Sequence, residues 1–496
     1  MPNKDEPQKP EEEKKKEEKP TPKDNLVESR HSLAIGGREL KYTVTAGTMV
    51  MKEETADREK ESEGEKPRAQ IFFIAYTKDG VKDKAKRPVT FSFNGGPGSA
   101  SVWLHMGVLG PRRVVLEFDG NLPRPPFQLT DNEYSLLDET DLVFIDPVST
   151  GYSRTVEGQK PVEYHGFKKD IESVGDFIRL YATRYNRWLS PKFLAGESYG
   201  TTRAAGLSGY LFDRHGMMLN GIMLISAVLD FATIDFAFGN DLPYILYLPG
   251  YTATAWYHNV LKPHRPLQDW VEEAKRFAQG EYAAALFKGD ALTVTERAAI
   301  VKKLARYTGL SADFIERTNL RIKDQHYYKE LLRGRGQTVG RLDSRLVGLD
   351  RSGVTEQPEY DPLLTNVMGP YAAGFYDYVR SELKFESDLP YEIISEKVHP
   401  WSFKEFEGQA IYVAETLRKA MTVNPHLKLF VANGYYDLGT PFFAAEYTFN
   451  HLGLHESLRG NVSMEYYEAG HMMYIHKPSL EALKSDLAKF IHSAML

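Results

Sequence analysis

The chain has 496 residues, 42% of them hydrophobic and 26% charged, which is globular composition and enough to build a large core. The formal net charge of −6 is small for that length, and no basic stripe with interleaved aromatics marks a nucleic-acid surface. There are no cysteines, which excludes disulfides, thiolate catalysis and cysteine-ligated metals, and no apolar run approaches the roughly eighteen residues of a membrane-spanning helix.

The opening MPNKDEPQKPEEEKKKEEKPTPKDN is rich in Lys, Glu and Pro. It has too few apolar groups to offset the entropy of ordering, so residues 1–28 are expected to be disordered. No signal peptide is visible. The tail suits a periplasmic or secreted spacer if an export signal was removed, and otherwise a cytoplasmic N-terminus.

From about Arg30 the pattern has period two. Leu33 and Ile35 alternate, Gly36–Gly37 makes a turn, and Leu40, Tyr42 and Val44 alternate again, which predicts a β-hairpin. The charged stretch from Lys52 to Arg68 reads as a loop, and IFFIAY (71–76) as another antiparallel strand. Strands then alternate with helices: VTFSF (89–93), DLVFID (141–146), an amphipathic helix over 165–188, KFLAG (192–196), a helix over 201–212 and GIMLIS (221–226). That order predicts a parallel sheet with helices on both faces. Strand signals stop after Phe231. Helical patterns follow, for example Val294 to Tyr307 and Phe314 to Leu332, until KLFVAN (428–433) and VSMEYY (462–467) resume the sheet. A closing helix begins at Pro478 with Leu480, Leu483, Leu487 and Phe490 on one face. The expected organisation is an α/β-hydrolase fold: a mostly parallel central sheet, its two parts at 29–234 and 426–496, with a helical cap inserted at 235–425.

Four motifs carry the chemistry. Gly196-Glu197-Ser198-Tyr199-Gly200 lies between a predicted strand and a predicted helix, the setting of a nucleophile elbow. Asn94-Gly95-Gly96-Pro97-Gly98-Ser99 follows the strand 89–93; such a loop brings backbone N–H groups to the nucleophile, and Gly96 and Tyr199 are the expected oxyanion donors. Asp437 follows the strand 428–433, and His471 follows the last strand in Ala469-Gly470-His471-Met472-Met473. In the order serine, acid, histidine, His471 can accept the Ser198 proton and Asp437 can fix its tautomer. Taken singly, His471 reads better as a structural loop histidine and Asp437 as a turn former or helix cap, and the glycine loop equally well as an ordinary turn; the order of the four motifs along the chain favours the triad.

Together with DLVFIDPVSTGYS, these motifs resemble the serine carboxypeptidase family from about Phe91 to the C-terminus. The resemblance implies release of single residues from peptide C-termini, usually at acidic pH, by way of an acyl-Ser198 intermediate. It further implies that Asn94, Gly95 and Glu197 bind the substrate's terminal carboxylate. Glu197 would then share a proton with that carboxylate, because two close carboxyls cannot both stay ionised. The chain departs from the family pattern in three places: Val108 stands where the family commonly has a second glutamate, Ser99 where it has a cysteine, and Tyr474 where a proline often follows the histidine. These changes suggest a divergent, bacterial-type member. They keep an esterase or acyltransferase on the same triad as the alternative, and a silent binding protein as the remote one.

No cofactor is expected. His471 and His476 have no third ligand at zinc spacing. The expected partner is a peptide or ester substrate, with no nucleic acid and no membrane-spanning segment; the sequence leaves the oligomeric state open. Tyr152 fits the substrate site or simple packing equally well. Tyr244, Tyr247, Tyr251, Trp256 and Tyr257 read as packing between cap and core.

Overall fold

The computed structural model describes residues 22–54 and 64–496. The disorder expected for the tail lies outside the described residues up to position 21, but strand β1 (Asn25–Ile35) begins inside the stretch read as tail. Its polar start is held by backbone pairing. Asn25 lies opposite Thr48 of β2 (Arg38–Glu54), and Asp24 Oδ1 accepts from Val50 N at 2.8 Å. Strand β3 (Glu65–Lys78) pairs antiparallel with β2 as far as Glu54 opposite Glu65, so both strands extend into the charged stretch read as a loop. The ladder continues there because it needs only main-chain groups, while the charged side chains turn to solvent.

The core strands are β4 (Val89–Phe93), β5 (Asp141–Ile145), β6 (Lys192–Glu197), β7 (Gly221–Ile225), β8 (Lys428–Gly434) and β9 (Val462–Tyr467). Among the described residues the sheet has ten strands in the order β1-β2-β3-β5-β4-β6-β7-β8-β9, with Arg154–Thr155 pairing on β3. From β5 to β9 the ladders are parallel, while β1, β2, β3 and the β3–β5 pair are antiparallel. Strands β4 to β7 are buried along their whole length. That is why they read as apolar runs rather than alternations. Successive residues nevertheless serve opposite faces: Leu142 and Phe144 join one apolar cluster, Val143 and Ile145 the other.

Helices α1 (Phe167–Arg184) and α2 (Tyr199–His215) cover one face. Strands β7 and β8 are neighbours, Gly221 opposite Lys428, so residues 226–427 leave the sheet and return beside their point of departure. This excursion is not one cap. Helix α3 (Leu242–Tyr257) and the segments after it build a third apolar cluster around Tyr251, Trp270 and Tyr327, shared with Leu438, Phe442 and Phe443 beyond β8. Helix α4 (Pro362–Asp377) instead sends Leu363, Val367, Tyr371 and Phe375 into one face of the main core. Helix α5 (Ala414–Val423) packs Leu417 and Met421 into the other, beside α2. Amphipathic spacing shows how much of a helix is buried, not against what, which is why the three parts read alike in the sequence. The helix expected from Phe314 to Leu332 is two, Ala312–Arg317 and Asp324–Glu330, parted where Asn319 and Leu320 take positive φ of 52° and 65°. The closing helix α6 (Lys477–Ser493) buries Leu480, Leu483, Leu487 and Phe490, as their spacing predicts. A mostly parallel sheet, helices on both faces and a long excursion before the penultimate strand make this an α/β-hydrolase fold.

Candidate active site

Strand β6 ends at Glu197 and α2 begins at Tyr199, which leaves Ser198 alone to make the turn. It does so at φ 60°, ψ −129°, a conformation costly for a residue with a side chain and characteristic of functional turns. Tight packing makes the flanking glycines necessary: a Cβ on Gly196 would sit 2.2 Å from Gly200 O. The turn is tied to the next strand by Ser198 N donating to Ile225 O at 3.0 Å. Ser198 is half-buried.

The loop after β4 lies against this turn. A Cβ on Gly95 would come within 2.4 Å of Tyr199 N and 2.7 Å of Gly200 N. Gly96 follows at φ 102° and is exposed. Asn94, 1% exposed, donates Nδ2 to Glu197 Oε1 at 3.0 Å and accepts Leu104 N on Oδ1 at 3.1 Å. Its own carbonyl accepts from Arg203 Nη1 at 2.5 Å, and Arg203 is in turn paired with buried Asp170 at 2.8 Å. Asn94, Gly95, Glu197 and Tyr199 therefore form one connected block around Ser198.

His471 and Asp437 meet on the same sheet edge. His471 Nδ1 lies 2.7 Å from Asp437 Oδ2. Their loops are pressed together, since a Cβ on Gly434 would lie 2.3 Å from Gly470 O. Asp437 also accepts Gly439 N at 2.8 Å, Thr440 N at 3.0 Å and Thr440 Oγ1 at 2.7 Å. His471 N donates to Leu342 O at 2.7 Å, and Ser226 Oγ donates to His471 O at 2.7 Å. Ser226 follows the residue that holds Ser198 N, so one turn after β7 braces both the elbow and the histidine loop.

Electrostatics follow from burial and pairing. Burial works to lower the His471 pKa, but the charge and hydrogen bond of Asp437 outweigh it and raise it overall. Burial pushes the Glu197 carboxyl up to about 7, against the pull of nearby His471 and of donors from Tyr474 and Asn94. Asp146 is likewise raised to about 7 by burial.

Several supporting residues escaped the sequence reading. Thr440 carried a signal: an Asp with Thr three places on is a side-chain-capped turn. Leu342, Ser226, Arg203 and Asp170 carried none, because their roles depend on contacts between distant segments. Tyr152 is buried and packs on Phe72 and Tyr391, and Tyr251 stacks on Tyr327 inside the excursion; both are packing residues. His476 Nδ1 meets Ser479 Oγ at 2.8 Å in the first turn of α6. Among the described residues no cluster of His, Asp and Glu could hold a metal ion, and no helix is long and apolar enough to cross a membrane.

A model of the family described as serine carboxypeptidase matches residues 62–477. The pheromone-processing carboxypeptidase KEX1 of Saccharomyces cerevisiae is 33% identical over 163 residues, 31% of this chain and 20% of that protein. Serine carboxypeptidase-like 34 of Arabidopsis thaliana is 26% identical over 214 residues, 36% of this chain and 40% of that protein. The matched stretch thus spans between a fifth and two fifths of these relatives. The crystal structure of a prohormone-processing carboxypeptidase from Saccharomyces cerevisiae, Kex1(delta)p, aligns over 90% of this chain and 91% of its own, with a TM-score of 0.55 at 16% identity, a likeness of fold.

Proposed function

Because the chain belongs to the serine carboxypeptidase family, we propose that it is a serine hydrolase that releases C-terminal residues from peptides through an acyl-Ser198 intermediate. The observation that carries this is the buried Asn94–Glu197 hydrogen bond immediately before Ser198, on the same sheet edge as the His471–Asp437 pair.

Ser198 Oγ attacks the scissile carbonyl carbon while His471 Nε2 takes its proton. With Nδ1–H directed at Asp437, the other ring nitrogen is free to accept. The N–H groups of Gly96 and Tyr199 receive the oxyanion. His471 then returns the proton to the leaving amine, the C–N bond breaks, and the C-terminal residue departs. Water repeats the sequence on the acyl-serine ester and restores Ser198. Asn94, Gly95 and Glu197 hold the terminal carboxylate, and a protonated Glu197 donates to it rather than repelling it.

Two ionisations then set the pH profile. Peptide KM should rise as pH climbs past about 7 and Glu197 ionises. The acylation rate should fall as acid protonates His471, whose raised pKa moves that limb to higher pH. Val108, fully buried and apolar, favours a second reading as esterase or acyltransferase. One assay separates them: amino-acid release from a blocked dipeptide, compared with its C-terminal amide and with a simple ester, from pH 4 to 8. Release confined to the free acid and abolished in Ser198→Ala supports the carboxypeptidase. Ester hydrolysis alone, still dependent on Ser198, would move the function to the second reading.

A further inference from the structure

Two polar atoms beside Ser198 are buried and make no hydrogen bond of good geometry: Glu197 Oε2 and the Tyr474 hydroxyl. They belong to facing groups, the phenol lying against the Glu197 carboxyl. The Tyr474 ring is tightly seated. A Cβ on Gly107 would come within 2.4 Å of it and within 2.8 Å of the Tyr371 hydroxyl, and Tyr371 packs on Trp103 at 4.9 Å. Only a residue without a side chain at 107 leaves room for this phenol. The next residue, Val108, is fully buried and brings no polar group. Asn94 holds one oxygen of the carboxyl, and the other is left to Tyr474.

We propose that Tyr474 is the positioning residue for Glu197: its hydroxyl donates to the carboxyl oxygen that Asn94 does not hold, fixing both oxygens and aiming the carboxyl at the peptide's terminal carboxylate. This rests on the carboxypeptidase reading above. The titratable groups facing Glu197 are His471, Asp437, Tyr474 and Tyr371. Of these, the two phenols stay neutral at every working pH, because burial holds both above the ordinary tyrosine value. A phenol therefore orients the carboxyl without adding an ionisation of its own. As a donor it favours the charged form, so its removal moves the Glu197 titration to higher pH.

The test compares wild type, Tyr474→Phe and Gly107→Ala on a blocked dipeptide, its C-terminal amide and p-nitrophenyl acetate, from pH 5 to 8. Gly107→Ala keeps the phenol but displaces its ring. Both variants should raise peptide KM about tenfold, the loss of one hydrogen bond that orients the carboxyl holding the peptide. Both should leave ester hydrolysis within about twofold, and Tyr474→Phe should move the pH midpoint of KM upward. Wild-type KM and midpoint in both variants would overturn the proposal, as would equal loss on peptide and ester in both. A wild type that cleaves the amide as readily as the acid would instead overturn the carboxypeptidase reading, and the inference with it.

Discussion

Asp437 is wholly buried, and Thr440 supplies two of the donors that hold it. The Thr440 hydroxyl also lies 3.3 Å from His471 Nδ1, so it fixes the carboxylate from the side on which the imidazole arrives. Thr440→Val should lower kcat/KM about tenfold with little change in KM, the size of one hydrogen bond to a charged group. Steady-state kinetics on the peptide check this, and a change below twofold would remove the hydroxyl from the machinery. Asp437→Asn should cost far more, about 10⁴-fold, if the carboxylate sets the histidine tautomer. At this scale the sequence was informative where chemistry follows strand ends. The places of Ser198, Asp437 and His471 are legible because strands, glycines and chain order announce them. Tyr474 was visible only as a departure from a pattern, since what its hydroxyl faces depends on Glu197, Gly107 and Tyr371 folding to one place.

Among the elements, the loops that carry Asp437 and His471 are set by the ends of β8 and β9. Gly434 closes β8 with no space for a side chain against Gly470 O and Ala469 O, at 2.3 and 2.5 Å from a built Cβ. Gly434→Ala must push these loops apart. It should destabilise the protein by about 1–3 kcal/mol and lower activity more than stability alone explains. Thermal unfolding and peptide release on the same sample test both parts; an unchanged melting temperature would show that the loops yield freely. The sheet was legible because buried parallel strands are apolar runs bounded by turns. The prolonged β2–β3 ribbon was not, because its far end is charged and main-chain pairing leaves no side-chain pattern. The destinations of α4 and α5 were also hidden, since each could bury its apolar stripe equally well in a separate cap.

Across the whole molecule, one buried acid joins the excursion to the core. Asp146 Oδ1 accepts Ser101 N at 2.8 Å, beside the glycine-rich loop, and the Tyr391 hydroxyl at 3.3 Å from the excursion. Burial raises its pKa to about 7 from 3.8. The folded chain therefore keeps a proton that the unfolded chain has already released. The stabilisation this group offers is complete below about pH 4 and lost as pH rises through about 7, on the order of 4 kcal/mol at most. Glu197, raised to about 7 from 4.5, acts with the same sign. Asp146→Asn should thus shrink the fall in melting temperature between pH 5 and pH 8. An identical fall in wild type and variant would mean that Asp146 is already ionised in the folded protein.

The excursion leaves and re-enters the sheet on adjacent strands, yet α4 and α5 tie it into both faces of the core. One main-chain atom ties it to the candidate triad as well. The carbonyl of Leu342, deep within the excursion, accepts the backbone N–H of His471. On the proposed mechanism, any replacement of this segment would have to present a carbonyl at the same point, or strand a buried donor next to the base. A lineage that remodels the excursion must therefore rebuild a support of how the protein reacts.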